Sequence, residues 1–157
     1  MSSSSLSFPS PDELKGAVQG TLLYLGLYFF TLIPFQSFSK FYIVAQKKKE
    51  ARSKGGNEKV SFRAIKYYNS KDLLALAGDR TVGNFIEFAI LFLPLMWMHA
   101  LFVDPSISFW ICLLYTASRS IYPITYFQGS LILLSTAPGY FIYAYLFYEL
   151  AFKFALA

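Results

Sequence analysis

Four stretches of this sequence, residues 17–38, 80–103, 107–126 and 130–154, are each apolar over about the twenty residues that an α-helix needs to cross a hydrocarbon core. Soluble chains rarely string together more than about a dozen apolar residues. With 55% hydrophobic and 20% aromatic residues, the chain carries more apolar surface than a soluble core would need, and the surplus has to face lipid. Backbone groups in lipid must bond within their own segment, so the four runs read as helices. The fold class is therefore an all-α integral membrane protein, a bundle of four transmembrane helices. Prolines 34, 94, 123 and 138 lie inside these runs, where membrane helices tolerate them, and Pro34 predicts a kink in the first.

Residues 1–10 are serine-rich and lack both a basic n-region and a continuous apolar h-region, so they read as a disordered tail and not as a secretory signal, with a trimmed organellar transit peptide as the alternative. Residues 11–157 form the single membrane domain. Its start is marked by Ser10-Pro11-Asp12-Glu13, which supplies an N-cap serine, a proline in the first turn and the glutamate of a capping box.

Between 46 and 78 the composition turns basic, with Lys47, Lys48, Lys49, Arg52, Lys54, Lys59, Arg63, Lys66 and Lys71 against Glu50, Glu58 and Asp72. This is the solvent-exposed loop, with a turn at Gly55-Gly56-Asn57 and a short helical turn over 72–78 leading back to the bilayer. Lysine and arginine gather on the cytoplasm-like side, so the loop faces cytoplasm, stroma or matrix and both termini lie opposite. The basic residues have no interleaved aromatic motif, which excludes nucleic acid and leaves anionic lipid headgroups as their counterpart. Asp104-Pro105-Ser106 is too short for anything but a tight link between antiparallel spans.

Ionisable side chains within the spans are costly, by about 2.5–3.5 kcal/mol on insertion scales, and each calls for a role. Arg80, Asn84 and Glu87 follow an i, i+4, i+7 spacing that sets all three within an arc of about 60° at the entry of the second span. Arg119, Tyr122 and Tyr126, with Tyr115 one turn earlier, make a second stripe at the exit of the third. Both stripes lie in the membrane half nearer the basic loop. They offer two guanidinium forks, one carboxylate, an amide and several phenols, which suits a small zwitterionic ligand with several carboxylates. The bland alternative pairs Arg119 with Glu87 to hold helices together while Arg80 snorkels. Glu149 and Lys153 read as a local i, i+4 pair on the opposite side, and His99 as interfacial. Cys112 is the single cysteine, which excludes an intrachain disulfide and a cysteine-based metal cluster, and it reads as a small buried hydrophobe. Neither a metal-binding cluster nor a nucleophilic triad, phosphate loop or redox dithiol is present, and no residue is assigned a catalytic role.

Arg80-Thr81-Val82-Gly83-Asn84-Phe85-Ile86-Glu87 resembles the R-x-x-x-N-x-x-E signature of the MAPEG family, the membrane-associated proteins of eicosanoid and glutathione metabolism. Arg119-Ser120-Ile121-Tyr122, followed by Tyr126, resembles that family's R-x-x-Y, and the likeness extends over about residues 16–154. The resemblance implies a homotrimer of four-helix subunits in the endoplasmic reticulum or an organellar membrane, with glutathione as cofactor on Arg80, Asn84, Glu87, Arg119, Tyr122 and Tyr126. Arg80 and Arg119 would take carboxylates, and Glu87 the γ-glutamyl ammonium or Arg119 itself. The conjugating eicosanoid synthases of that family carry an arginine near the start of the fourth helix, whereas Gln128–Leu134 here holds no cation. A free thiol of pKa about 8.5 is largely protonated at neutral pH, so ionising it needs help from elsewhere, with Ser130, Tyr126 or Arg63 as candidates. The expected function is a glutathione-dependent membrane transferase or peroxidase acting on a lipophilic substrate, surrounded by membrane lipids. The alternative is a non-catalytic scaffold or an accessory subunit of a larger membrane assembly.

Overall fold

The computed structural model describes residues 8–55, 65 and 71–156, and every regular element among them is helical. Three stretches are long and apolar enough to cross a membrane: Pro11–Ser53, Leu73–Phe102 and Ser108–Ala155. Their outward faces carry large apolar side chains, among them Phe30 at 85% exposure, Phe141 at 75% and Ile90 at 70%, which water would not tolerate as contiguous surface. The chain is an integral membrane protein.

The first stretch begins as α1 (Pro11–Leu27). Its capping box is formed: the Glu13 backbone N–H donates to Ser10 Oγ at 3.4 Å and the Ser10 N–H to Glu13 Oε2 at 2.7 Å. The predicted disruption at Pro34 takes the form of one wide turn, Tyr28–Leu32, after which α2 (Ile33–Ser53) continues in helical geometry. Proline cannot donate to the carbonyl four residues back, and widening the preceding turn moves that carbonyl away. The basic segment 46–78 is thus helical at both ends: α2 enters it as far as Ser53, and α3 (Leu73–Phe102) begins inside it, absorbing the short turn expected over 72–78. The straight-chain residues Gln46–Arg52 favour helix, so the end of the apolar run does not end the secondary structure. Gly55 has a positive φ of 71°, as the expected turn requires. Gly56, Asn57, Lys59, Arg63 and Lys66 lie outside the described residues, as do residues 1–7 of the tail.

At the far end of α3, the Asp104 N–H donates to His99 O at 2.9 Å and the Ser106 N–H to Asp104 Oδ1 at 2.8 Å. This tight turn leads into α4 (Ser108–Ser120). The hydrogen-bond ladder of α4 is interrupted at Ile121, because Pro123 cannot bond back to α4, and a single turn, α5 (Tyr122–Thr125), precedes a tighter turn over Tyr126–Leu131. The reversal is made at Gln128 and at Gly129, whose φ of 58° belongs to the left-handed region. Then α6 (Ile132–Leu150) runs back antiparallel to α4, since Tyr115 meets Tyr143 and Ser135 Oγ donates to Ser118 O at 2.7 Å. A wide turn, Ala151–Ala155, ends the helical path.

Aromatic rings from α1, α3, α4 and α6 build the core. Phe92 stacks on Tyr115 at 3.8 Å between centroids and Tyr24 on Phe85 at 4.2 Å. Buried phenols find backbone acceptors: Tyr24 donates to Phe85 O at 3.1 Å and Tyr143 to Phe88 O at 3.0 Å. Cys112 is fully buried, as read from the sequence. A second, smaller core joins Ile43 and Val44 of α2 to Ala75 of α3 and to Ile65.

Candidate functional site

Helix α3 presents three faces. Gly78, Asp79, Val82 and Phe85 are buried, Arg80 and Glu87 are exposed, and Asn84 lies half-buried between them. Facing Asn84 at the end of α4 stands Arg119, only 2% exposed. Its Nη1 donates to Asn84 Oδ1 at 3.1 Å, so two members of the expected constellation are in direct contact across α3 and α4. The partner of Arg119 is Asn84 and not Glu87. Glu87 is exposed and outside ion-pair distance of Arg119, so within one chain these two do not lock the helices. The reason is rotational: Glu87 lies three residues beyond Asn84, about 60° further round the helix at 100° per residue, which carries it from the half-buried edge that Arg119 meets to the exposed surface.

The rest of the guanidinium environment is mainly aromatic, with the Tyr115 hydroxyl within electrostatic reach of it. Its Cζ lies 4.5 Å from the Phe88 ring centroid and 4.9 Å from that of Tyr115, and Nε and Nη2 are buried without a hydrogen-bond partner. On the α6 side the cage is closed by Gly139. A Cβ there would land on Nη2 and come within 3.2 Å of Tyr115 Cε2, so only glycine leaves room for the group. Ring faces return part of the lost solvation by cation–π attraction, but they accept no N–H bond of ordinary strength.

Tyr122 is 6% exposed and lies within electrostatic reach of Arg80, Glu87, Arg119 and Tyr126. Its ring centroid is 6.1 Å from that of Tyr126. All six expected residues therefore gather at one end of the helices. Tyr126 reaches this end from the tight turn and not from the continuous helix expected over 107–126, because Pro123, read as tolerated within that run, interrupts it. Gln128 to Leu131 are exposed and bring no cation, and Arg63 is outside the described residues.

Two polar clusters were not in the sequence reading as they stand. On the same side, Lys40 and Asp79 form an ion pair at 2.8 Å with side-chain exposures of 3% and 0%. At the opposite end, Glu149 and Lys153 pair as expected, but His99, read as interfacial, is fully buried with Nε2 4.0 Å from Glu149 Oε2. The seven-residue spacing of Lys40 and Lys47, matched by that of Asp72 and Asp79, was the available signal for the first. For His99 only the tertiary approach of α6 buries the ring.

The family model for MAPEG matches residues 21–152, whereas no curated protein and no solved structure matches the chain. That stretch begins within α1 and ends beyond α6, holding both polar stripes and every long apolar helix except its outermost turns. With most of its length inside the match, this membrane protein belongs to the MAPEG family.

Proposed function

We propose that this chain is a glutathione-dependent membrane transferase or peroxidase that acts on lipophilic electrophiles or lipid hydroperoxides, working as a homotrimer of four-span subunits. MAPEG membership supports a membrane-bound role in glutathione or eicosanoid metabolism. One observation carries the finer reading: Arg119 is buried, its Nη1 donates to Asn84, and its Nε and Nη2 find no acceptor. A guanidinium so placed is costly unless an anion completes it. The two nitrogens without an acceptor are Nε and Nη2, the pair that grips a carboxylate with two parallel hydrogen bonds once the packing of Gly139 against Nη2 gives way to it.

Glutathione has the matching groups, two carboxylates and an ammonium. Arg119, oriented by Asn84, takes one carboxylate and the exposed Arg80 the other, while Glu87 takes the ammonium and Tyr122 and Tyr126 donate phenolic hydrogen bonds. When bound, glutathione supplies the thiol nucleophile. The positive field of Arg80 and Arg119 favours its ionised form, and the apolar surroundings admit a lipophilic partner from the bilayer, so that proximity supplies much of the rate. The basic segment 46–78 faces the cytoplasm-like side of an endoplasmic-reticulum or organellar membrane, and residues 11–157 act as one domain.

Calorimetry of the full chain in mild detergent should detect binding of reduced glutathione, and Arg119→Met should weaken it by at least about a hundredfold, the cost of removing one partner of a buried charge pair. Unchanged affinity in that variant would sink the assignment. A non-catalytic scaffold or accessory subunit is favoured by one observation, the absence of a cation over Gln128–Leu134. Glutathione binding without turnover of an aryl halide or a lipid hydroperoxide would select that second reading.

A further inference from the structure

Where α2 leaves the apolar core it crosses α3 at close range. A Cβ on Gly78 would meet Ser39 Oγ at 2.5 Å and the Gln36 backbone at 3.0 Å. At this crossing Lys40 Nζ lies 2.8 Å from Asp79 Oδ1, and Gln36 Nε2 donates to the same oxygen at 2.8 Å. Seven residues on along α2 and seven back along α3, Lys47 pairs with Asp72 at 3.0 Å. Val44 and Ala75 lie between the two pairs, inside the smaller core. The two helices thus run antiparallel in one register over two turns.

We propose that Asp79 is a positioning residue: its buried pair with Lys40 fixes the rotation of α3, so that Arg80, Asn84 and Glu87, which follow it, face Arg119. The proposal rests on the reading that these residues hold glutathione. Turning α3 by one residue swings every side chain through about 100°, enough to carry Asn84 off Arg119. Small apolar residues such as Ala75 and Val44 resist such a slip weakly. A buried charge pair resists it strongly, because any other register leaves an ammonium and a carboxylate unpaired in a medium that solvates neither. The Lys47–Asp72 pair cannot do the same work, since its lysine is 42% exposed and screened by water.

The test labels two exposed positions flanking the site, Ile86→Cys and Ile124→Cys in a Cys112→Ala background, with nitroxides and reads their distance distribution in the full chain without ligand. Asp79→Asn should broaden that distribution, raise the glutathione Kd and KM by about tenfold, and leave kcat within about twofold. The exchanged pair Lys40→Asp with Asp79→Lys should recover the distance and the affinity together, and Lys47→Gln should move neither. Should Asp79→Asn fail to fold, Lys40→Met with Asp79→Leu keeps the volume apolar, and it should fold with the same broadening. A narrow parental distribution in the folded variants would overturn the proposal. Broadening in Asp79→Asn, in a parent that shows no glutathione affinity, would uphold the positioning role and discard the glutathione reading.

Discussion

Lys40 and Arg119 are each only 2% exposed, yet the two cations sit in opposite surroundings. Lys40 faces a carboxylate that a glutamine also engages, so the crossing of α2 and α3 is electrically closed. Arg119 faces two aromatic rings, a glycine and one amide oxygen, and it is electrically open. The first arrangement is what a helix junction needs. The second leaves Nε and Nη2 without an acceptor, and on the proposed function an anion completes it. Burial of a charge alone does not separate structural groups from functional ones; the state of its partners does.

The contrast breaks most readily at Asp79. Replacing it with leucine strands Lys40, and unfolding in detergent should show a loss of about 3–5 kcal/mol. A loss below about 1 kcal/mol would mean that water reaches the crossing. Gly139→Ala should cost about 1–3 kcal/mol by forcing the guanidinium out of its cage, and most of that cost should vanish in an Arg119→Met background, which a double-mutant cycle reads directly. Arg119→Met by itself should be neutral or should stabilise the ligand-free protein by about 1 kcal/mol, the reverse of Asp79→Leu; on the proposed function glutathione should raise the Tm of the parent and leave that of Arg119→Met unchanged. Lys47→Gln should cost less than about 1 kcal/mol and still less in high salt, since that pair is partly in water.

The smallest effect belongs to the turn between α3 and α4. The hydroxyl and backbone N–H of Ser106 hold the Asp104 carboxyl below the usual carboxylate range. A depressed folded value means that the stabilisation is complete above the ordinary pKa of about 3.9 and disappears as pH falls through the folded value. Acid unfolding below about pH 4 should therefore lose a small component in Asp104→Asn, seen as a flatter acid limb in a pH series of thermal melts.

Much of this was legible in the residues. Apolar run length fixed the long helices, and the i, i+4, i+7 spacing of Arg80, Asn84 and Glu87 placed a polar face where α3 has one. Arg119 was identified by its cost in lipid. Its partner was not, because the choice between Asn84 and Glu87 turns on a rotation of α3 that spacing within one helix cannot supply. The Lys40–Asp79 pair was missed for a related reason. Lys40 stands at the end of an apolar run and Asp79 just before one, and only the close crossing of α2 on α3, with Gly78 against Gln36 and Ser39, brings them together. His99 was misplaced because the only route to its burial passes through α6.

At about 1.5 Å per residue, the 43-residue stretch Pro11–Ser53 is about 64 Å long, more than twice the thickness of a bilayer's hydrocarbon core. A rod of that length, braced by the first turns of α3, emerges beyond any detergent belt. Small membrane proteins defeat electron-microscope image alignment because nothing protrudes to orient them. This one carries its own fiducial, and an antibody fragment raised against the Lys48, Lys49 and Arg52 face would enlarge it without approaching Arg119.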